Sequence, residues 1–108
     1  MAKWKGSAPV FAALGDETRL ALVAELCSTG PRSITRLAAG SRVTRQAITK
    51  HLHVLAGAGL VRDVRRGRER IWEFEAQRLH EARQCLDQIS QQWDNALGRL
   101  KAFVESEQ

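Results

Sequence analysis

Between Val43 and Leu52 the chain runs VTRQAITKHL, and most of its polar side chains can donate a hydrogen bond. On a helix with Ile48 at 0°, Leu52 falls at about 40° and Leu55 at about −20°, which makes one apolar stripe. Arg45 then lies at about 60°, Thr49 at about 100°, Gln46 at about 160° and Lys50 at about 200°. One side of the helix suits a protein core and the other presents donors. Gln pairs with adenine, Arg or Lys with guanine, and Thr meets a thymine methyl or a phosphate. Arg42 and Thr44 stand at the start of the segment, where a helix N-terminus favours a phosphate. His53, at about 140°, shares the donor side, whereas His51, at about 300°, lies at the edge of the apolar stripe.

A second cluster follows in RRGRER, residues 65–70, which places Arg65, Arg66, Arg68 and Arg70 around or near Gly67. Two β-prone runs joined through a Gly-centred turn predict a hairpin over 60–75 with these arginines at its tip. Arginine is attracted to narrow minor grooves and to phosphates. A donor-faced helix followed by such a tip therefore points to double-stranded nucleic acid.

The flanking elements are the scaffold these groups need. Residues 8–14, APVFAAL, read as a short helix or turn ended by Gly15. Asp16 is a suitable N-cap for a second helix, with Glu17 adding favourable charge in its first turn. Leu20, Val23, Ala24 and Cys27 follow at i, i+3, i+4 and i+7, so they are expected to form its buried face. Ser33 can cap a short third helix with Ile34, Leu37 and Ala38 inward. Thr44 can cap the fourth, which GAGL at 57–60 ends. The third and fourth helices, within residues 33–56, make a helix-turn-helix.

From Gln77 to about residue 105 a single long helix is predicted. Leu79, Ala82, Leu86, Ile89, Trp93, Ala96, Leu100 and Phe103 recur at alternating steps of three and four, a heptad seam. Such a seam predicts pairing of two copies through Leu79, Ala82, Leu86, Ile89, Trp93, Leu100 and Phe103. Trp72 is expected to pack within its strand. Trp4 stands in a basic N-terminal stretch with no assigned role.

Composition agrees. The 108 residues are expected to form one domain, mainly α with a small β-hairpin, in the order α-α-α-α-β-β-α. The net charge of +5 conceals a polarity. Ten Lys or Arg against two acids lie between Arg32 and Arg70, and the remainder of the chain is net acidic. A localised basic field is the electrostatic footprint of nucleic-acid binding. No apolar run approaches the roughly 20 residues that span a bilayer. The two cysteines, Cys27 and Cys85, are not a disulfide framework and fit a reducing, cytoplasmic setting. No Gly-rich phosphate loop, Ser/His/Asp arrangement or paired-carboxylate site suggests catalysis, and no cofactor is implied.

The segments FAALGDETRLALVAEL, SITRLAAGSRVTRQAITKHLHVLAGAGLV and RRGRERIWEF resemble the ArsR/SmtB family of bacterial winged-helix repressors, most strongly over residues 10 to 75. The terminal WDNALGRLKAFVE resembles a subgroup with a Trp in a long last helix. The resemblance implies a homodimer that binds a palindromic operator and represses transcription. It places DNA reading on Arg45, Gln46, Thr49 and Lys50, with Arg66 and Arg68 in the wing.

The chain departs from the metal-sensing members. A Cys-x-Cys pair at the start of their third helix corresponds to Ser33 and Thr35 here. On the last helix His80, Glu81, Cys85 and Asp87 lack the i, i+3 or i+4 His pairing that gathers ligands, so no metal is expected. Cys27 is expected in the core, as a small buried hydrophobe. The competing readings are a winged helix that binds another protein, and a repressor that responds to a metal or a thiol reagent.

Overall fold

The computed structural model describes residues 6–106, so Trp4 lies outside the described residues. In chain order the elements are α1 (Ala8–Leu14), α2 (Glu17–Thr29), β1 (Arg32–Ser33), α3 (Ile34–Ala38), α4 (Arg45–Gly57), β2 (Val61–Arg66), β3 (Glu69–Phe74) and α5 (Ala76–Ser106).

Local chemistry accounts for the helix starts. The Asp16 carboxylate accepts from the Arg19 amide at 3.0 Å, the Ser33 hydroxyl from the Arg36 amide at 3.3 Å, and the Thr44 hydroxyl from the Ala47 amide at 3.1 Å. Each satisfies an amide that the helix itself leaves unpaired. The end of α4 is as clear. Gly59 takes a positive φ of 78°, its amide bonds to the Ala56 carbonyl, and the Leu60 amide reaches back to the Leu55 carbonyl. That is a Schellman motif, and its usual apolar contact is present, because Leu55 and Leu60 are both fully buried. The turn fixes where the chain leaves the helix and enters β2.

The sheet has three strands in the order β1-β3-β2, all antiparallel. The expected hairpin is its larger part. Val61 opposes Phe74 and Arg66 opposes Glu69, which leaves Gly67 and Arg68 as a two-residue loop. Gly67 carries the positive φ, 63°, that a type II′ turn demands of its first loop residue. The addition is β1, in which Arg32 pairs with Trp72 and Ser33 with Ile71. Two residues behind a proline give no alternation to detect, so periodicity could not have found this strand.

One core joins these elements. Val10 and Ala13 of α1, Leu22, Val23 and Leu26 of α2, Leu37 of α3, Ile48, Leu52 and Leu55 of α4, and Leu60, Val61 and Trp72 around the sheet are buried together. The predicted stripe of α4 and the packing of Trp72 are therefore as expected. The predicted stripe of α2 is not. Val23 is buried, but Leu20, Ala24 and Cys27 are exposed, and Leu22 and Leu26 take their places. The helix is apolar on several sides, so spacing alone does not choose between two overlapping stripes. Packing against α1 and α4 chooses the one containing Leu22 and Leu26, and Cys27 is left at the surface.

Helix α5 continues well past the body it packs against. Its 31 residues extend about 46 Å at 1.5 Å each. Ala82 and Cys85 are buried in the protomer, and Leu79 packs half-buried against the same core. Ala82 thus faces its own chain, which corrects its expected place on a seam between copies. From Leu86 onward the helix projects, and Leu86, Ile89, Trp93, Leu97, Leu100, Phe103 and Val104 are all exposed. The described protomer measures 70 × 30 × 20 Å with a radius of gyration of 18.9 Å. A compact chain of this length has a radius of about 13 Å.

Candidate nucleic-acid interface

The site is built on α3, α4 and the β2–β3 hairpin. The buried stripe of Ile48, Leu52 and Leu55 anchors α4 and turns its opposite side outward. Arg45, Gln46 and Lys50 are exposed there, and among the described residues none of their side chains is engaged by another group. Arg42 is exposed in the turn before α4. These are unspent donors on a rigid element, the condition under which a base edge or phosphate can compete for them.

Two threonines are less free than their positions suggest. Thr44 accepts the Ala47 amide as the helix cap, although its hydroxyl proton remains available. The Thr49 hydroxyl donates to the Arg45 carbonyl at 3.0 Å, which leaves its methyl group and a lone pair for an outside partner. His53 is exposed, but its ring lies 5.8 Å from that of Trp72 at a tilt of 50°. The contact ties the sheet-facing edge of α4 to β3.

The hairpin divides its arginines in two. Arg62, near the base, bonds to Glu73 and lies 2.7 Å from Glu75, and Arg70, on β3, lies 3.0 Å from Asp63. The Glu73 hydrogen bond, then the charges of Glu73 and Glu75, raise the pKa of Arg62 above its ordinary value. Toward the tip, Arg65, Arg66 and Arg68 are exposed, and among the described residues they have no ion pair. Arg65 stands directly opposite Arg70 across the ladder. Like charges in that position are destabilising. The hairpin therefore holds a concentration of positive charge that its own acids do not neutralise.

Between α4 and the hairpin lies an open groove of about 420 Å³, lined by Ser33, Thr35, Arg45, Thr49, Arg68 and Arg70 with Ile34 and Glu69. It brings the expected Arg45, Thr49 and Arg68 to one concavity. Gln46, Lys50 and Arg42 lie outside its lining. Arg70, expected near the hairpin tip, lines it as well, whereas Ser33 and Thr35 belong to it although spacing gave no reason to place them there. Ser33 lines the groove because β1 joins the start of α3 to β3, the same strand that sequence periodicity missed. Among the described residues no group of three or more His, Cys, Asp or Glu side chains could hold a metal ion. Nor is any described helix long and apolar enough to cross a membrane. Cys85 is buried and Cys27 exposed.

Comparison with known proteins agrees with this geometry. Residues 14–64 match the family described as Helix-turn-helix domain. The HTH-type transcriptional regulator Rv2034 of Mycobacterium tuberculosis is 33% identical over 107 residues, covering 99% of this chain and 96% of that protein. The uncharacterized HTH-type transcriptional regulator YuzN of Bacillus subtilis is 38% identical over 76 residues, 65% of this chain and 83% of its own length. A solved ArsR-like transcriptional regulator from Rhodococcus sp. RHA1 superposes with a TM-score of 0.80 at 37% identity, covering 95% of this chain and 96% of that one. With a helix-turn-helix, a charged wing and relatives of that kind over almost its whole length, the chain belongs to the ArsR/SmtB family of DNA-binding winged-helix transcriptional regulators.

Proposed function

We propose that the protein is a homodimeric repressor that reads a palindromic operator with α4 and grips the flanking backbone with its wing. The observation that carries this reading is the division of charge: Arg62 and Arg70 are neutralised within the hairpin, while Arg65, Arg66 and Arg68 are not. Arg45, Gln46 and Lys50, with the Thr49 methyl, contact base edges in a major groove. Arg42 and Thr44 sit at phosphates beside the start of α4, and His53 marks the sheet-side limit of the reading surface. Arg65, Arg66 and Arg68 reach phosphates or the adjacent minor groove.

Residues 33–56, 60–75 and 77–105 act as reader, wing and dimerisation helix of one DNA-binding domain. The exposed side of α5 supports pairing. Leu86, Ile89, Trp93, Leu100 and Phe103 lie along a projecting helix, and an exposed apolar surface of that kind marks an interaction site. Pairing through α5, with α1 beside it, sets the two reading helices apart. Half-sites about 34–36 Å between centres match one turn of B-DNA. Occupation of a promoter by such a dimer blocks transcription, with no metal or other cofactor taking part.

A gel shift with purified protein and the DNA upstream of its own gene, at two salt concentrations, tests the proposal. Retardation that weakens at the higher salt, with preference over random duplex, is the expected result. Equal affinity for specific and random DNA would remove the operator reading.

A further inference from the structure

One guanidinium joins three elements. Arg19 stands in the first turn of α2, and its Nε donates to the Ala13 carbonyl at 2.5 Å while Nη2 reaches the Ala12 carbonyl at 3.5 Å. Both are end carbonyls of α1; that of Ala12 also accepts the Gly15 amide, and that of Ala13 takes the shorter bond from Arg19. Its Nη1 lies 3.3 Å from Nδ1 of His51, in the middle of α4. The backbone amide of the same residue is held by Asp16, whose carboxylate is 3.8 Å from His51 Nδ1. With the guanidinium donating, the imidazole is neutral, accepts at Nδ1 and carries its proton on Nε2.

The contact falls at an informative place on α4. The apolar stripe of Ile48, Leu52 and Leu55 sets which side of the helix faces the core, but the hydrophobic effect is non-directional, so a directional contact at the edge of the stripe adds a finer constraint on rotation. His51 lies about 60° to one side of Ile48, and His53, against Trp72, about 140° to the other. Arg19 and Trp72 thus hold opposite edges of the reading helix. The Arg19 side also leads to α1, which packs against α5. A rigid planar fork can make these bonds together, and lysine cannot reproduce its geometry.

We infer that Arg19 is a positioning residue for DNA reading, which sets the rotation of α4 through His51 and references it to the α1–α5 side of the protomer. The inference rests on the DNA-reading role proposed above. Arg19 itself touches no DNA in this account, so its loss misaims the base-reading side chains without removing any cation that grips phosphate.

The test uses the full chain with Arg19→Lys, His51→Leu and His51→Asn, each compared with wild type on a selected operator and on random duplex. Asparagine keeps an acceptor near the position of Nδ1, and leucine removes it. The expected result is a specific-to-random ratio about tenfold lower for Arg19→Lys and His51→Leu, comparable to losing one charged hydrogen bond. His51→Asn should restore most of the ratio, and affinity for random duplex should stay unchanged throughout. Should Arg19→Lys fail to fold, the His51 pair decides alone, because those changes leave the caps of α1 and α2 in place. Wild-type ratios in Arg19→Lys or His51→Leu, or equal behaviour of His51→Asn and His51→Leu, would overturn the positioning role. A wild-type protein with no sequence preference would instead overturn the DNA-reading role on which it depends.

Discussion

Helices α4 and α5 are both two-sided, and they use their sides in opposite ways. In α4 the apolar stripe is buried within the protomer and the polar side is left with unspent donors. In α5 the apolar side is what remains exposed beyond Leu86, with Trp93 at 64% and Phe103 at 62% of full exposure. Each exposed face lacks its natural complement in the single chain. On the function proposed above, that complement is a surface of acceptors and negative charge for α4 and another apolar surface for α5. The same sequence signal, apolar residues at helical spacing, thus has two destinations, and only the burial of the rest of the chain separates them.

The largest effect is expected where the apolar face of α5 is broken. Leu86→Glu or Trp93→Glu should convert dimers to monomers by sedimentation, and affinity for a two-site operator should fall by at least about a hundredfold as the second reader is lost. Unchanged dimers would place the interface elsewhere. The buried face of α4 comes next. Leu52→Ala removes a fully buried side chain and should lower unfolding stability by about 2–5 kcal/mol, measured by denaturant titration. A loss under about 1 kcal/mol would mean that this stripe is not the anchor.

The polar side of α4 and the hairpin tip sharpen the comparison further. Gln46→Ala should cost about 1–3 kcal/mol on the correct base pair and relax preference at that one position. Arg68→Ala should weaken binding to all sequences alike and reduce the salt slope by about one contact. Equal losses from the two on specific and random DNA would erase the division between reading and gripping.

The smallest effect concerns Asp16. Its pKa is lowered, chiefly by the Arg19 backbone amide, with a smaller contribution from the Arg19 charge working against desolvation. A carboxyl lowered in the folded state stabilises the fold above its unfolded value, and that contribution fades as pH falls through the folded value. Thermal stability of the wild type should therefore decline below about pH 4, and Asp16→Asn, which still caps a helix, should flatten that decline.

Much of this was legible in the residues. The Asp16, Ser33 and Thr44 caps, the α4 stripe and the Gly67 turn each depend on chemistry confined to a few neighbouring positions. The failures share a different cause. Cys27 was expected inside because α2 carries two overlapping apolar stripes, and long-range packing selects between them. Strand β1 exists only through its pairing with Trp72 and Ile71 of β3, some forty residues away. Ala82 obeys the same heptad as Leu86, yet one lies in its own core and the other projects, because the body of the protomer ends between them. Among the site residues, Arg45, Gln46 and Lys50 followed from the α4 wheel. The groove wall contributed by Ser33 and Thr35 needed β1 and so was hidden with it, whereas Arg70 came with the expected hairpin. The Arg19–His51 contact spans 32 residues and leaves no local trace.

The most direct test of the central claim is selection of bound sequences from random double-stranded DNA by the purified protein. The account predicts an enriched inverted repeat whose half-site centres are about one helical turn, 10–10.5 base pairs, apart. Recovery of no enriched sequence at low ionic strength, or of a single unrepeated half-site, would contradict it.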